Sequence, residues 1–134
     1  MVSSKAEFVH LHNHSEYSLL DGITRWSDHD GSPSELLKSL AHEKARAVAV
    51  TDHGNLYGAI EFYSQCNKVG VKPIIGCEMY LAKGSRLDRG GSQKDNCHLT
   101  VLARNYEGYQ NLMALSTTGF LEGFYYDARI DREL

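Results

Sequence analysis

Residues 47–54 read Ala-Val-Ala-Val-Thr-Asp-His-Gly, an apolar run that gives way at once to polar residues and a glycine. The first four side chains are apolar at every position rather than at alternate ones. This pattern is typical of a short strand that is covered on both faces, as in parallel sheets packed between helices. Because functional residues gather at the carboxyl ends of such strands, Asp52 and His53 become candidates for a functional site.

Helical patterns flank this strand on both sides. Before it, Ser-Pro-Ser-Glu at residues 32–35 predicts a capping box with proline at the first helical position. After it, apolar residues recur at helical spacing over residues 56–69, and Gly70 is placed to end that helix. A third helix is predicted to begin after Asn105 as its N-cap residue. Its predicted buried face consists of Tyr109, Leu112, Met113 and Leu115.

Three further strands are predicted, over residues 8–12, 72–81 and 98–103, and a loop rich in glycine, serine and charged residues is predicted over residues 83–96. The resulting order is β-α-β-α-β-loop-β-α, which favours parallel strands joined by right-handed crossovers. A closed barrel of that type needs roughly 200 to 250 residues or more. The chain has 134 residues. We therefore expect an α/β chain in which residues 1–134 form the N-terminal portion of one larger domain.

The composition excludes several classes of protein. The chain is 42% hydrophobic and 23% charged, which is enough apolar residue for a folded core. No apolar run is long enough for a membrane span and no signal peptide is recognisable, so we expect a cytoplasmic protein with no membrane partner. The balance of 14 Lys and Arg against 17 Asp and Glu argues against binding nucleic acid by bulk charge alone. The odd number and wide spacing of Cys66, Cys77 and Cys97 indicate reduced thiols that fill core space.

Histidine is concentrated near the amino terminus. Of the 7 histidines, three occupy alternate positions in His-Leu-His-Asn-His at residues 10–14. Side chains two residues apart on a strand point the same way, about 6.5 Å apart, so these imidazoles can converge on one cation or on two neighbouring cations. Metal ligation is the preferred interpretation, because burying three imidazoles without partners would be costly. His29, in an acidic surface loop, and His42, on the exposed side of the first helix, are not expected to bind metal.

Further candidate ligands follow along the chain. Asp21 comes soon after the histidine cluster, although taken alone it is more simply an ordinary turn aspartate. His53 follows the second strand, and Asp52 beside it could orient the loop or support a ligating imidazole. Glu78 lies in an otherwise apolar strand, and His98 opens the last one. Successive strands thus each present a histidine or a carboxylate near a common rim.

The donor types narrow the choice of metal. A mixed set of imidazoles and carboxylates suits Zn²⁺, Mn²⁺ or Fe²⁺ better than Ca²⁺, and no cysteines have zinc-finger spacing. The candidates outnumber the ligands that one tetrahedral ion needs, so we expect two or three metal ions. Sites of this kind activate water and clamp a phosphoryl group for hydrolysis.

These motifs resemble those of the polymerase and histidinol phosphatase (PHP) superfamily. The resemblance rests on His12-Asn13-His14, on Tyr17-Ser18 followed by Asp21-Gly22, and on Thr51-Asp52-His53. Longer strings are similar to the N-terminal domain of bacterial DNA polymerase III alpha subunits, namely residues 8–18, 49–58, 70–78, 98–103 and 108–112. The similarity as a whole runs from about residue 6 to residue 134.

The resemblance implies a distorted seven-stranded β/α barrel, TIM-like, at the N-terminus of a replicative polymerase, with up to three metal ions at its rim. The metal ligands implied by the motifs are His12, His14, Asp21, His53, Glu78 and His98. Later motifs, ending in Asp-x-His, would supply the remaining ligands beyond this chain. His10 occupies a position where the wider superfamily commonly has an aspartate, so it is only a secondary candidate. Asp52, which could support a ligating imidazole, is the other secondary candidate. The expected ions are Zn²⁺ or Mn²⁺ here and Mg²⁺ for the parent polymerase.

The resemblance also implies a function. The parent protein would be a DNA-directed DNA polymerase, a nucleotidyltransferase of DNA replication, with DNA, a proofreading exonuclease and a sliding clamp as partners. The site within this chain would carry metal-dependent 3′–5′ exonuclease or phosphoesterase chemistry. Two alternatives stay open: a non-catalytic, metal-stabilised scaffold that docks the proofreading partner, and a free-standing PHP phosphatase that acts on a small phosphate ester.

Overall fold

The computed structural model describes residues 8–90 and 96–134. Within these residues the expected α/β class is confirmed. The elements, in chain order, are α1 (Glu35–His42), β1 (Ala47–Val50), α2 (Ala59–Val69), β2 (Lys72–Leu81), β3 (Cys97–Leu102), α3 (Tyr106–Leu121) and β4 (Arg129–Ile130). Across the described ranges, no helix is both long enough and apolar enough to cross a bilayer.

Strand β2 is the centre of the sheet, and the three other strands pair with it. Its first half pairs in parallel with β1, from Ala47 opposite Lys72 to Val50 opposite Ile75. Its second half pairs with β3, where Tyr80 lies opposite His98. Strand β4 joins β2 in parallel near the carboxyl end of β2. The sheet is therefore mixed.

The pairing of β3 with β2 is antiparallel, so the expectation of parallel strands throughout was wrong for this pair. The reason lies in the connection. No helix occurs in the described part of the chain between Leu81 and Cys97, and parallel strands need a long crossover, usually a helix. The chain therefore returns along its neighbour in the opposite direction. The predicted loop over residues 83–96 includes residues 91–95, which lie outside the described residues.

The predicted first strand is reduced to an isolated parallel bridge between His10 and Val48. The main-chain N–H of Ala49 donates to the carbonyl of His10 at 2.8 Å. The side-chain amide of Asn13 then donates to the carbonyl of Ala49 at 3.0 Å, so a side chain rather than a main-chain N–H bonds this carbonyl. The segment thus lies beside β1 in the predicted direction without forming a regular strand.

The helix ends follow the sequence signals in part. Gly70 ends α2 with φ of +75°, the left-handed conformation that glycine adopts most readily. The side chain of Asn105 accepts a hydrogen bond of 2.9 Å from the N–H of Gly108, as expected of an N-cap. Helix α1 instead begins one residue after Ser34, whose side chain makes no capping bond, so the capping box was wrong. Pro33 lies before that N-cap residue, in a separate bridge with Ser27.

Two clusters of buried side chains form the core, and Ile75 of β2 packs against both. The first contains Trp26, Leu37, Val48, Val50, Phe62, Cys66 and Val71. The second contains Cys77, Met79, Leu112 and Ile130. All four residues of β1 are buried, as predicted. Two residues predicted to be buried are not. Met113 is 37% exposed beside the buried Leu112, and Cys97 is exposed at the start of β3.

Candidate metal centre

The end of β1 and the middle of β2 bring the candidate ligands together. An isolated parallel bridge joins His53 to Glu78 just beyond the regular ladder. The N–H of Glu78 donates to the carbonyl of Asp52 at 2.9 Å, and the N–H of Gly54 donates to the carbonyl of Glu78 at 2.9 Å. These two main-chain bonds hold the backbone of His53 beside that of Glu78.

Glu78 is the centre of the cluster, and only 5% of its surface is exposed. Its Oε2 contacts Nε2 of His12 and lies 2.8 Å from Nε2 of His14. Its Oε1 lies 2.5 Å from Nδ1 of His98 and 3.9 Å from Nδ1 of His53. Four imidazoles from three parts of the chain therefore surround one carboxylate.

Asp21 enters the cluster through His53. Its Oδ2 lies 3.0 Å from Nε2 of His53, and 64% of the Asp21 side chain is exposed. The ring of His53 also lies 4.2 Å from that of His14, measured between centroids. Asp21 is thus placed at the open side of the cluster and Glu78 at its buried side.

The six predicted ligands fall into three groups in which the donor atoms lie within 4.8 Å of one another. Each group has two imidazoles and one carboxylate, and neighbouring groups share members. The groups are His12, His14 and Glu78; His14, Asp21 and His53; and His53, Glu78 and His98.

The donor atoms fit divalent transition metals. Nitrogen and oxygen donors in this mixture suit Zn²⁺ and Mn²⁺. Nδ1 of His53 is also buried and has no hydrogen-bond partner. A buried polar atom without a partner costs free energy, and a bound cation would satisfy it.

Electrostatics keeps the buried ligands in their metal-binding protonation states. Burial alone would raise the pKa of Glu78, but hydrogen bonds from His12, His98 and His14 outweigh it and lower the pKa to about 2. Burial lowers the pKa of His53, partly offset by the nearby charge of Glu78. Metal ions bind ionised carboxylates and neutral imidazoles. Neither Glu78 nor His53 therefore has to lose a proton to bind an ion near neutral pH.

Asp52, a secondary candidate, lies beneath the cluster rather than in it. It is 2% exposed, and its Oδ1 accepts hydrogen bonds from the N–H of Ser15 at 2.7 Å and the hydroxyl of Ser18 at 2.6 Å. Its Oδ2 accepts from the Ser15 hydroxyl at 2.7 Å. The Ser18 hydroxyl oxygen in turn accepts from the N–H of His53 at 3.1 Å. Asp52 thus ties the loop after His14 to the strand end that carries His53.

His10, the other secondary candidate, lies beside the site. It is exposed, belongs to none of the three groups, and packs edge-on against Phe8 with centroids 4.7 Å apart. Its main chain pairs with β1 instead. His10 alternates with His12 and His14 in the sequence, but in the fold it lies outside the cluster that they join.

Sequence reasoning missed Tyr80 as a member of this neighbourhood. Its ring stacks on His53 and contacts His98 edge-on. Burial, and then the charge of Asp127, raise the pKa of Tyr80 to about 12, so its phenol stays protonated. The available signal was its position two residues after Glu78, which places both side chains on one face of β2.

An open cleft leads to the cluster. Its volume is about 380 Å³, and its lining includes His12, His14 and Asp21 together with Ile23 and Thr24. Three predicted ligands thus face a space that a small substrate group can enter.

Comparisons with known proteins identify the family that the chain matches. Residues 10–134 match the family described as PHP domain. DNA polymerase III subunit alpha of Thermus aquaticus is 47% identical over 138 residues, which cover 99% of this chain and 11% of that protein. The same subunit of Deinococcus radiodurans is 47% identical over 134 residues, which cover 96% of this chain and 10% of that protein. The chain thus spans about a tenth of the length of these relatives.

A solved structure of an amidohydrolase from Chromobacterium violaceum, with bound sulfate and no metal, has a similar fold. The TM-score is 0.50 at 20% sequence identity, and the match covers 84% of this chain and 34% of that one. At this identity the likeness bears on the fold alone.

Proposed function

The chain belongs to the PHP domain family, and we propose that its cluster of imidazoles and carboxylates is a multinuclear metal centre that hydrolyses phosphoesters. The observation that carries the proposal is the position of Glu78, whose two oxygens each face a different pair of imidazoles. A carboxylate in that position can serve two ions at once.

The proposed ligands are His12, His14, Asp21, His53, Glu78 and His98, and the proposed ions are Zn²⁺ or Mn²⁺. Bound divalent ions would activate water and neutralise the charge of a phosphoryl group. The chain itself supplies the rest. Glu78 and His53 hold the deeper positions, Asp21 lies toward solvent, and the cleft beside His12 and His14 admits the substrate. The formal net charge of −3 does not oppose an anionic substrate, because bound cations reverse the local potential.

We further propose that the substrate is the 3′ end of a DNA strand and that the reaction is that of a 3′–5′ exonuclease. Support comes from relatives that are subunits of a DNA polymerase. On the same ground, the whole protein is proposed to be a cytoplasmic DNA-directed DNA polymerase that uses Mg²⁺. Its proposed partners are DNA, a proofreading exonuclease and a sliding clamp.

The proposed architecture is a distorted seven-stranded barrel of which residues 1–134 form the N-terminal part. Support comes from the parallel pairing of β1 with β2 and from the candidate ligands that follow β1. A free-standing phosphatase is disfavoured, because the relatives that match almost the whole chain are polymerase subunits.

Metal content of the full-length protein tests the centre directly. After dialysis, elemental analysis is expected to find two or three divalent ions per wild-type chain. It should find fewer in a double variant, His12→Ala/His14→Ala, because those two histidines take part in two of the three donor groups. The matched control is His29→Ala/His42→Ala, which removes two exposed imidazoles outside the cluster and should keep the full metal content. Equal metal content in the wild type and in the His12/His14 variant would contradict the proposed centre.

Activity then separates catalysis from a scaffold. The wild type is expected to shorten a 5′-labelled single-stranded DNA from its 3′ end, and the His12/His14 variant is not. If both proteins leave the DNA intact while metal removal lowers the melting temperature, the centre is a metal-stabilised scaffold.

A further inference from the structure

Tyr80 contacts two of the proposed ligands without being a ligand itself. We propose that Tyr80 is a positioning residue whose ring fixes the orientation of His53 and His98 and so sets the affinity of the ion held by His53, Glu78 and His98. This inference rests on the proposed metal centre and adds to it a residue that binds no metal.

The ring contacts of Tyr80 define two different restraints. Its ring stacks on that of His53 with centroids 5.7 Å apart and an angle of 21° between the planes. It meets the ring of His98 edge-on, with centroids 5.0 Å apart and planes at 77°. One aromatic ring thus limits the rotation of two imidazoles that come from different parts of the sheet.

The backbone of Tyr80 is itself held on both sides. On one edge of β2 it lies directly opposite His98 in the antiparallel ladder, where side chains of opposite residues pack together. On the other edge it lies opposite Arg129 of β4. A residue in the central strand is a rigid support for its side chain, so the orientation of the ring is transmitted to its neighbours.

The loop after β1 fits closely against the same ring. Gly54 has φ of +62°, and a Cβ built on it would lie 3.4 Å from Cδ2 and Cε2 of Tyr80. A side-chain carbon at Gly54 would thus reach ordinary van der Waals contact with the ring of Tyr80. The ring of Tyr80 therefore lies beside the loop that carries His53.

His53 is held at its second nitrogen only by a carboxylate at the open side of the cluster. Imidazoles that bind metals usually have their second nitrogen held by a hydrogen-bond partner, which fixes the ring plane. The buried Nδ1 of His53 is the nitrogen that faces Glu78, and its Nε2 lies 3.0 Å from Asp21, whose side chain is 64% exposed. The torsion that turns an imidazole is broad, so the stacked ring of Tyr80 adds a second and less exposed restraint on the ring plane.

The test uses three variants of the full-length protein. Tyr80→Ala removes the ring, Tyr80→Leu keeps apolar volume without an aromatic plane, and Tyr80→Phe keeps the ring without the hydroxyl. The matched control is Tyr63→Ala, which removes a ring of α2 that is 55% exposed and outside the cluster. The probe is Co²⁺, whose visible absorption reports ligand geometry, together with ion stoichiometry and chelator competition.

Loss of the ring is expected to weaken one ion selectively. For Tyr80→Ala and Tyr80→Leu, the affinity for one Co²⁺ should fall about 10- to 100-fold, the effect typical of losing a residue that orients a ligand. The other ions should bind as in the wild type. Tyr80→Phe should retain the wild-type affinity and spectrum, and Tyr63→Ala should do the same.

Three results would overturn the inference in distinguishable ways. Unchanged affinity and spectrum in Tyr80→Ala would show that the ring orients nothing. Equal loss of all ions, with a lower melting temperature of the chelated protein, would assign Tyr80 a general structural role. If the wild-type protein itself binds no ion at this cluster, the proposed metal centre fails first and the role of Tyr80 fails with it.

Discussion

Oδ1 of Asp52 accepts a hydrogen bond of 2.6 Å from the hydroxyl of Ser18, and both residues are buried. This bond joins two segments that approach the candidate metal site from different parts of the chain. The carbonyl of Ser18 also accepts from the N–H of Asp21 at 3.0 Å, so the same serine shapes the turn that carries a proposed ligand. The placement of the candidate site beside the sheet thus involves a carboxylate, Asp52, that belongs to none of the three donor groups.

Removal of the Ser18 hydroxyl is expected to destabilise the protein. Ser18→Ala leaves buried Asp52 and the N–H of His53 each short of one partner, at a cost of about 1–3 kcal/mol in the free energy of unfolding. Urea unfolding of the chelated protein measures it. Ser39→Ala, an exposed serine of α1, is the matched control and should change stability by less than about 0.5 kcal/mol. Equal stability of the two variants would contradict a structural role for the bond.

The number of ions lost on substitution is expected to follow the number of donor groups to which the substituted residue belongs. Glu78 belongs to two groups and His98 to one. Glu78→Gln removes the charge and keeps the shape, so it is expected to lose at least two ions per chain, whereas His98→Ala should lose one. Elemental analysis after dialysis gives the counts. Glu107→Gln, an exposed carboxylate in the first turn of α3, is the control that should keep every ion.

The opposite ranking, with His98→Ala losing more ions than Glu78→Gln, would contradict the shared position of Glu78. Equal losses of one ion each would mean that the two oxygens of Glu78 serve a single metal.

The three cysteines are expected to differ in reactivity. Burial raises the pKa of Cys66 and of Cys77 to about 12, and both thiols are buried, so little of either is the reactive thiolate near neutral pH. Cys97 is exposed. Iodoacetamide at pH 8 should therefore modify Cys97 in the folded protein and all three in denaturant, as measured by peptide mass spectrometry. Rapid modification of Cys66 or Cys77 under native conditions would show that the core opens there.

Acid is expected to remove the stability that Asp131 contributes. Hydrogen bonds from the main-chain N–H of Arg86, at 2.8 Å, and from its guanidinium, at 3.1 Å, hold Asp131. The main-chain bond from Arg86 is the chief cause that lowers the pKa of Asp131, outweighing burial. A carboxylate with a lowered pKa stabilises the fold above its unfolded pKa, about 3.9, and this stabilisation is lost as the pH falls through its folded value.

The comparison of wild type with Asp131→Asn measures this contribution. The difference in unfolding free energy should be constant from pH 7 to about pH 5 and should shrink as the pH falls below about 4. Ser39→Ala, at an exposed and uncharged residue, is the control and should keep the pH dependence of the wild type. A difference that grows toward acid would give the wrong sign and contradict the lowered pKa.

Local sequence patterns predicted much of the fold. The all-apolar run of β1 correctly indicated a strand buried at every position, and Gly70 and Asn105 correctly marked helix ends. These features depend on a few adjacent residues, which a sequence shows directly. The direction of β3 and the existence of the two-residue β4 depend on contacts between distant parts of the chain, so no local pattern indicated them.

The candidate site was likewise predicted only in part from the sequence. The residue types and their approximate rim were visible in sequence, and the structure brings all six predicted ligands into three contiguous groups. Their role as ligands stays a prediction. The central place of Glu78 was not visible, because a lone carboxylate in an apolar strand is equally compatible with an exposed strand end. Tyr80 was missed because its contacts with His53 and His98 arise from the register between β2 and β3.

The segment over residues 8–14 pairs with β1 through an isolated bridge rather than a regular ladder, yet it carries His12 and His14. Ions shared between these imidazoles and Glu78 would fasten the segment to the sheet more firmly than its main chain does. Withdrawing the ions is therefore expected to expose this segment to proteases before the rest of the fold opens. Limited chymotrypsin digestion with and without chelator would reveal it, because the segment contains Phe8 and Leu11. Bound ions would then hold the amino-terminal segment on the sheet, and a shortage of metal would leave the protein susceptible to proteolysis.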